Sequence, residues 1–282
     1  MQHIIDYFET IPSLHRSIIL FGGITLFWII EGIIPIRLFK YNKWKHAGIN
    51  LFFTGTTIAV NFALAFLMNK ACELARDHQF GAWHWLPLPF WANLLVSLML
   101  LDLVGAYFIH FIEHKTKWMW RFHLIHHTDA YVDTTSANRH HPGESIFRAV
   151  FTSLAILLCG APFGVVMLYQ SLSAVLSQFN HANINLPAYI DKPLSYLIVT
   201  PGMHRVHHHN VQPYTDCNYG NVFAVWDRLL STYRYLPPDK IVFGIDTHPL
   251  PEEHSHIGNL LKIPFQKYRP PVGSKFGEVE RP

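Results

Sequence analysis

The chain has 282 residues, 50% of them hydrophobic, 15% aromatic and only 15% charged, with a net charge of +3. Soluble domains keep roughly a quarter of their residues charged, so this balance argues for lipid as part of the solvent. With no basic stripe interleaved with aromatics, it argues against nucleic acid as a partner. Three cysteines (Cys72, Cys159, Cys217), an odd number without a CxxC pair, argue against a disulfide framework or a thiolate metal site. The N-terminal MQHIIDYFET is acidic and lacks the basic start of a cleavable signal peptide.

In chain order, residues 17–36 and 51–68 are each near the ~20 apolar residues that span a hydrocarbon core. The loop between them carries Arg37, Lys40, Lys43 and Lys45, a cytoplasmic signature. The next loop balances Lys70 and Arg76 against Glu73 and Asp77, which suits the opposite side. A third span, residues 91–109, returns to the cytoplasm, where Lys115, Lys117 and Arg121 follow. Residues 146–178 are broken at Gly160-Ala161-Pro162 into halves of ~15 residues, short for full spans, so a hairpin dipping into or just across the bilayer is expected. From Asn183 onward the chain turns polar and richer in Pro and Gly. The expected fold is a single-domain, all-α, multi-pass integral membrane protein over residues 1–282. It has three to five membrane-embedded helices and a cytosolic helical cap at about 110–145 and 179–282. Glu31, near the cytoplasmic end of the first span, is read as snorkelling and needing no special role.

The twenty histidines cluster. The third span ends in His110-Phe-Ile-Glu-His114, and residues four apart on a helix face one way. Nine residues on, His123-Leu-Ile-His126-His127 fans three imidazoles over one helix face, and His204-Arg-Val-His207-His208 repeats the fan. Thr200 before that last box reads as an N-cap with Pro201 in the first helical position. Single histidines (His3, His15, His46, His78, His84, His248, His254, His256) are read as ordinary core or surface residues, and His209 as solvated. The three boxes instead supply eight imidazoles on one side of the membrane. One zinc site uses three or four protein ligands, so eight imply two metals. Imidazole suits Zn, Cu, Fe and Ni alike; the neighbouring lipid, with its inert C–H bonds, favours iron and dioxygen.

The boxes HFIEH, HLIHH and HRVHH resemble the histidine motifs of the fatty acid hydroxylase/sterol desaturase superfamily. So do their flanks: Asp102 and Tyr107, Trp120-Arg121-Phe122, Asp133-Thr134-Thr135, Arg139-His140-His141-Pro142, Asp216-Cys217-Asn218-Tyr219-Gly220 and Trp226-Asp227-Arg228-Leu229. The similarity runs from about Leu100 to Leu236. It implies a membrane scaffold with a cytosolic di-iron centre, O2 as co-substrate, and a lipid hydroxylated or desaturated at a C–H bond. By the same resemblance the metal ligands are His110, His114, His123, His126, His127, His204, His207 and His208, with His181 after the hairpin as a ninth. His141 is either a ligand or a supporting residue, and Asp216 and Asp227 are candidates for orienting ligands. No haem, flavin or dinucleotide segment is visible, so electrons are expected from a separate redox protein; a pterin donor is used by the alkylglycerol branch of the superfamily. An apolar tunnel between the third span and the hairpin is expected to present the lipid.

Two acidic residues are candidates for a catalytic part. Asp102 lies within the third span, where a carboxylate is costly and by default functional. It sits eight residues before His110, about 12 Å along a helix, which suits a supporting or packing hydrogen bond better than ligation. Glu113 is close in azimuth to His110 and is placed to orient a ligand or handle protons. His141-Pro142-Gly143-Glu144 looks like a haem-binding turn but lacks a surrounding haem domain. The alternatives are a membrane di-zinc hydrolase, which should show HExxH, and a metal-ion transporter, which should place ligands mid-membrane. The chain shows neither feature. A soluble carboxylate di-iron enzyme needs Glu-x-x-His pairs, also missing.

Overall fold

The computed structural model describes residues 2–274. Its longer helices are α1 (Gln2–Glu9), α2 (Ser13–Ile33) and α3 (Lys43–Asp77), then, after the one-turn α4 (Ala82–Trp85), α5 (Phe90–Asp102). A π-helical turn, Leu103–Phe108, carries α5 into α6 (Ile109–Lys115), which is followed by α7 (Lys117–His127), α8 (Pro142–Cys159) and α9 (Phe163–His181). Five short α-helices follow among the described residues: α10 (Ala188–Leu194), α11 (Pro201–His207), α12 (Val225–Leu229), α13 (Pro251–His254) and α14 (Ile257–Lys262). Among the described residues there is no strand, only isolated bridges such as Pro35 with Ile184. The all-α architecture is as expected.

Among the described residues, four helical stretches are long and apolar enough to cross a membrane: Ser13–Ile33, Lys43–Trp85, Phe90–Lys115 and Pro142–Cys159. By length and composition these mark an integral membrane protein. Large apolar side chains on the outer faces, among them Ile18, Leu26, Ile29, Phe62 and Phe66, are exposed, as lipid-facing residues are. The second span begins earlier than its apolar run. Asn42 caps it by accepting from Lys45 N at 3.0 Å, which draws Lys43 and Lys45 into its first turn. The hairpin break is real: Gly160 ends α8 with φ +67°, and Pro162 precedes α9. Its first half is 18 residues long, a crossing length, which favours the second of the expected alternatives, a dip into or a passage just across the bilayer.

The two ends of the bundle differ in chemistry. At one, Gly81 and Gly160 pack so closely that a Cβ on Gly81 would lie 2.5 Å from Gly160 N, and Glu9 accepts from Gly164 N at 2.7 Å. At the other lie the histidine boxes together with the basic loop after α2. There Tyr41 donates to Asp133 at 2.9 Å, His46 Nε2 donates to Asp129 at 2.8 Å, and Ile36 N donates to Asn183 O at 3.1 Å. The loop rich in Lys and Arg and the histidines therefore share one end.

Glu31 corrects an expectation. It does not snorkel: it is 3% exposed, accepts from Thr134 N (3.1 Å) and Asn183 N (3.0 Å), and pairs with Lys43 at 3.3 Å. A carboxylate inside a span thus fastens two loop segments, one of them two residues beyond His181.

Candidate metal centre

Each box is a short helical run, so its rings fan to one side. α6 carries His110 and His114; α7 carries His123, His126 and His127; α11 carries His204 and His207, with His208 at its end. α11 starts as the sequence predicts, Thr200 accepting from Met203 N at 3.3 Å with Pro201 following. His181 is the last residue of α9. The π-helical turn runs directly into α6; such turns recur at functional sites.

All nine rings meet, in two nests. His110, His114, His123, His127 and His207 bring one nitrogen each within 4.8 Å of one another, and His126, His181, His204 and His208 do the same. In the first nest His123 Nε2 lies 3.1 Å from that of His110 and 3.2 Å from that of His127. In the second, His181 Nε2 lies 3.1 Å from those of His126 and His204 and 3.2 Å from that of His208. Imidazole nitrogens bind a metal at about 2.0–2.1 Å, which puts neighbouring ligand atoms roughly 3 Å apart, as here.

The opposite ring nitrogens explain why Nε2 points inward. A backbone carbonyl can only accept, so Nδ1 carries the proton in His110 (to Tyr219 O, 2.8 Å), His181 (to Ser177 O, 2.7 Å) and His207 (to Cys217 O, 2.7 Å). Nδ1 of His114 faces Asp216 at 3.1 Å and that of His123 faces Glu144 at 2.9 Å. A neutral ring protonated on Nδ1 presents a lone pair at Nε2, so five lone pairs are fixed toward the nests. Nε2 of His114 and of His207 is buried without a protein partner. Converging, desolvated lone pairs are costly unless a cation lies between them. The donor set therefore fits two imidazole-bound metal ions. Burial pushes His123 down to about 3 and holds His126, His127, His204, His207 and His208 well below the ordinary imidazole range, so the rings stay neutral, as metal ligands must.

The surrounding carboxylates are placed unequally. Asp216 holds His114, and burial of that carboxyl is outweighed by His114 and Lys115, which keep it below the usual carboxylate range. Asp227 accepts from Tyr219 N (2.8 Å) and Gly220 N (2.9 Å), fixing the turn whose carbonyl holds His110. Glu113 pairs with Arg148 Nη2 at 2.7 Å and comes within 3.6 Å of His123 Nδ1. Asp102 is not brought to the nests. It accepts from Tyr169 Oη (3.0 Å), Trp226 Nε1 (3.0 Å), Phe223 N (3.0 Å) and Val222 N (3.2 Å), fastening the third span to the segment before α12.

Sequence reasoning missed Glu144, His140 and Arg148. Glu144, in the turn set aside as a haem lookalike, takes His123 Nδ1 and Arg148 Nε (2.8 Å). His140 lies 2.9 Å from Glu144 Oε1 through Nδ1 and stacks on His126 with centroids 4.6 Å apart. An acid and a base four residues apart at the start of an apolar helix was the available signal. His141 caps α8, its Nδ1 accepting from Gly143 N at 2.9 Å, and lies in neither nest. His209 is corrected from solvated to buried, its Nδ1 accepting from Val242 N at 3.0 Å.

A cavity of about 260 Å³ runs from His140 and Arg148 into the membrane-spanning part, between α2, α3, the π-helical turn, α8 and α9. It lies where the sequence expects a tunnel, bounded by two further helices, but its wall is mixed and not purely apolar: Thr54, Thr57, Asn61, Thr152, Gln170 and Ser173 line it beside Leu20, Ile58 and Met68.

Residues 94–232 match the family model described as fatty acid hydroxylase. The chain is 27% identical over 189 residues to an ornithine lipid hydroxylase of Rhizobium tropici, covering 67% of this chain and 55% of that protein. It is 29% identical over 238 residues to the alkylglycerol monooxygenase of Danio rerio, covering 83% and 50%. To the human cholesterol 25-hydroxylase it is 24% identical over 144 residues, covering 50% and 51%. The chain thus spans about half the length of these curated relatives. No solved structure matches it.

Proposed function

We propose, from a chain whose residues 94–232 form a domain of the fatty acid hydroxylase family, that the protein is a membrane-bound non-haem di-iron oxygenase. It hydroxylates or desaturates a C–H bond of a lipid, with its centre on the cytoplasmic face. The observation that carries this reading is the pair of nests, in which nine buried imidazoles bring one nitrogen each to two positions. The activities of the relatives, on ornithine lipid, alkylglycerol and cholesterol, support oxidation of a lipid.

Two iron ions held by His110, His114, His123, His127 and His207 and by His126, His181, His204 and His208 would supply dioxygen activation. The chain's own residues do the rest. Peripheral carbonyls and carboxylates lock five of the nine rings, His110, His114, His123, His181 and His207, before substrate arrives, which limits the reorganisation left for the reaction. Burial keeps bulk water from the reacting C–H bond. Glu113, Glu144 and Arg148 form a buried charged cluster against His123, placed to hold protons beside the centre. Hydroxylation balances as R–H, O2, two electrons and two protons giving R–OH and water, the electrons coming from a separate redox protein.

The test is oxygen uptake by iron-loaded protein in nanodiscs with a chemical or protein reductant. Lipid-dependent uptake with an oxygenated or desaturated lipid product is expected. Lipid hydrolysis by zinc-loaded protein without oxygen uptake contradicts the reading, as does ion flux with unchanged lipids.

A further inference from the structure

A cavity reaching into the membrane-spanning part should be lined by apolar helix faces, yet two helices carry polar stripes that face it. Thr54, Thr57 and Asn61 of α3 stand at offsets of three and seven, one helix face. Gln170, Ser173 and Ser177 of α9 repeat those offsets. Seven residues of helix rise about 10 Å, so each stripe is about that long. Thr152 of α8 and Asn221 complete the wall.

Thr54 donates to Asn50 O at 3.0 Å and Ser173 accepts from Asn221 Nδ2 at 2.7 Å, but the other groups are not consumed by packing. Thr57 Oγ1 is buried without a partner. Among the described residues the side chains of Asn61, Thr152, Gln170 and Ser177 form no hydrogen bond. Polar groups in a membrane helix are expensive and usually functional. The wall holds one fixed charge, Arg148, and that guanidinium is already matched by Glu113 at 2.7 Å and Glu144 at 2.8 Å. An anion entering the cavity would find no uncommitted cation, and a cation would find no carboxylate on the wall.

Resting on the lipid-oxygenase reading, we infer that the cavity takes the uncharged, hydrogen-bonding part of an amphiphile, bearing several hydroxyl or amide groups. The oxidised carbon then lies within a few bonds of that polar part, not in mid-chain. The lipid enters sideways past Ile58, which lines the cavity and is 44% exposed on the outer face. Its polar part lies along the two stripes and its tail remains in the bilayer.

The test pairs binding with product mapping in nanodiscs, using a monoalkylglycerol and a ceramide as uncharged probes and phosphatidylglycerol as the anionic one. Native mass spectrometry of purified protein should show the uncharged probes retained, and Asn61→Leu/Gln170→Leu should lower that retention about tenfold with metal content unchanged. Thr57→Val, a near-isosteric change, should weaken it in the same direction. Fragmentation of any product should place the new oxygen or double bond near the polar part. Preferential retention of phosphatidylglycerol, or unchanged retention by the variants, overturns the inference, as does a mid-chain product. A mid-chain product leaves the oxygenase reading standing, whereas no oxidation of any lipid overturns that reading while the binding arm still decides the cavity's preference.

Discussion

His123 Nδ1 donates to Glu144 Oε1 at 2.9 Å, and both side chains are fully buried. The contact joins α7 to α8 across 21 residues of sequence and holds the ring at the centre of the five-histidine nest. Supporting carboxylates of this kind typically contribute 10–100-fold to metal affinity. Glu144→Gln should therefore reduce metal retention about tenfold or more in the five-histidine nest while sparing the four-histidine one. Metal content after graded chelation measures this, and loss of both metals together speaks against it.

The two nests differ in redundancy. His181 Nε2 lies within 3.2 Å of all three of its nest partners, whereas the other nest has five members. His181→Ala should cost the second metal outright. His114→Ala should leave four ligands and a weakened but occupied site. Stoichiometry by elemental analysis separates them; equal losses contradict the division.

Asp102 accepts four hydrogen bonds. Leaving buried donors unsatisfied costs about 1–3 kcal/mol each, so Asp102→Ala should lower thermal stability markedly. Asp102→Asn, which keeps an acceptor, should recover part of it and most of the activity per bound iron. A stable Asp102→Asn protein with full iron and no turnover would instead make the carboxylate catalytic.

Burial raises Asp227 from its ordinary 3.8 to about 6. Its folded-state value exceeds the unfolded one, so its contribution is complete below about pH 4 and lost as pH climbs toward 6. Stability measured relative to Asp227→Asn should fall over that window and stay level above it. A difference that rises with pH, or that does not change, contradicts the assignment.

Much of the centre was legible in the sequence because helical offsets of three and four are local: box spacing alone put eight rings on one side. The ninth, His181, came from resemblance, since nothing in its neighbourhood repeats a box. What escaped were contacts made only by packing. Glu144 meets His123 because α8 folds back on α7; its spacing from Arg148 signals an ion pair on one helix but not that contact. Glu31 looked like a snorkelling acid because its partners, Thr134 N and Asn183 N, lie more than a hundred residues away. The start of α3 was hidden because hydropathy reads apolar runs, whereas its first turn is basic and set by the Asn42 cap. The polar stripes were diluted among Leu, Val and Phe neighbours, so the cavity was expected to be apolar.

The central claim is a pair of irons in two histidine nests. Mössbauer spectroscopy of protein expressed with 57Fe, together with iron and zinc analysis, tests it most directly. Two irons per chain with the signature of a coupled pair, reduced to one by His181→Ala, is the predicted result. Mononuclear iron, or two zincs that persist when iron is supplied and support no oxygen uptake, would contradict it.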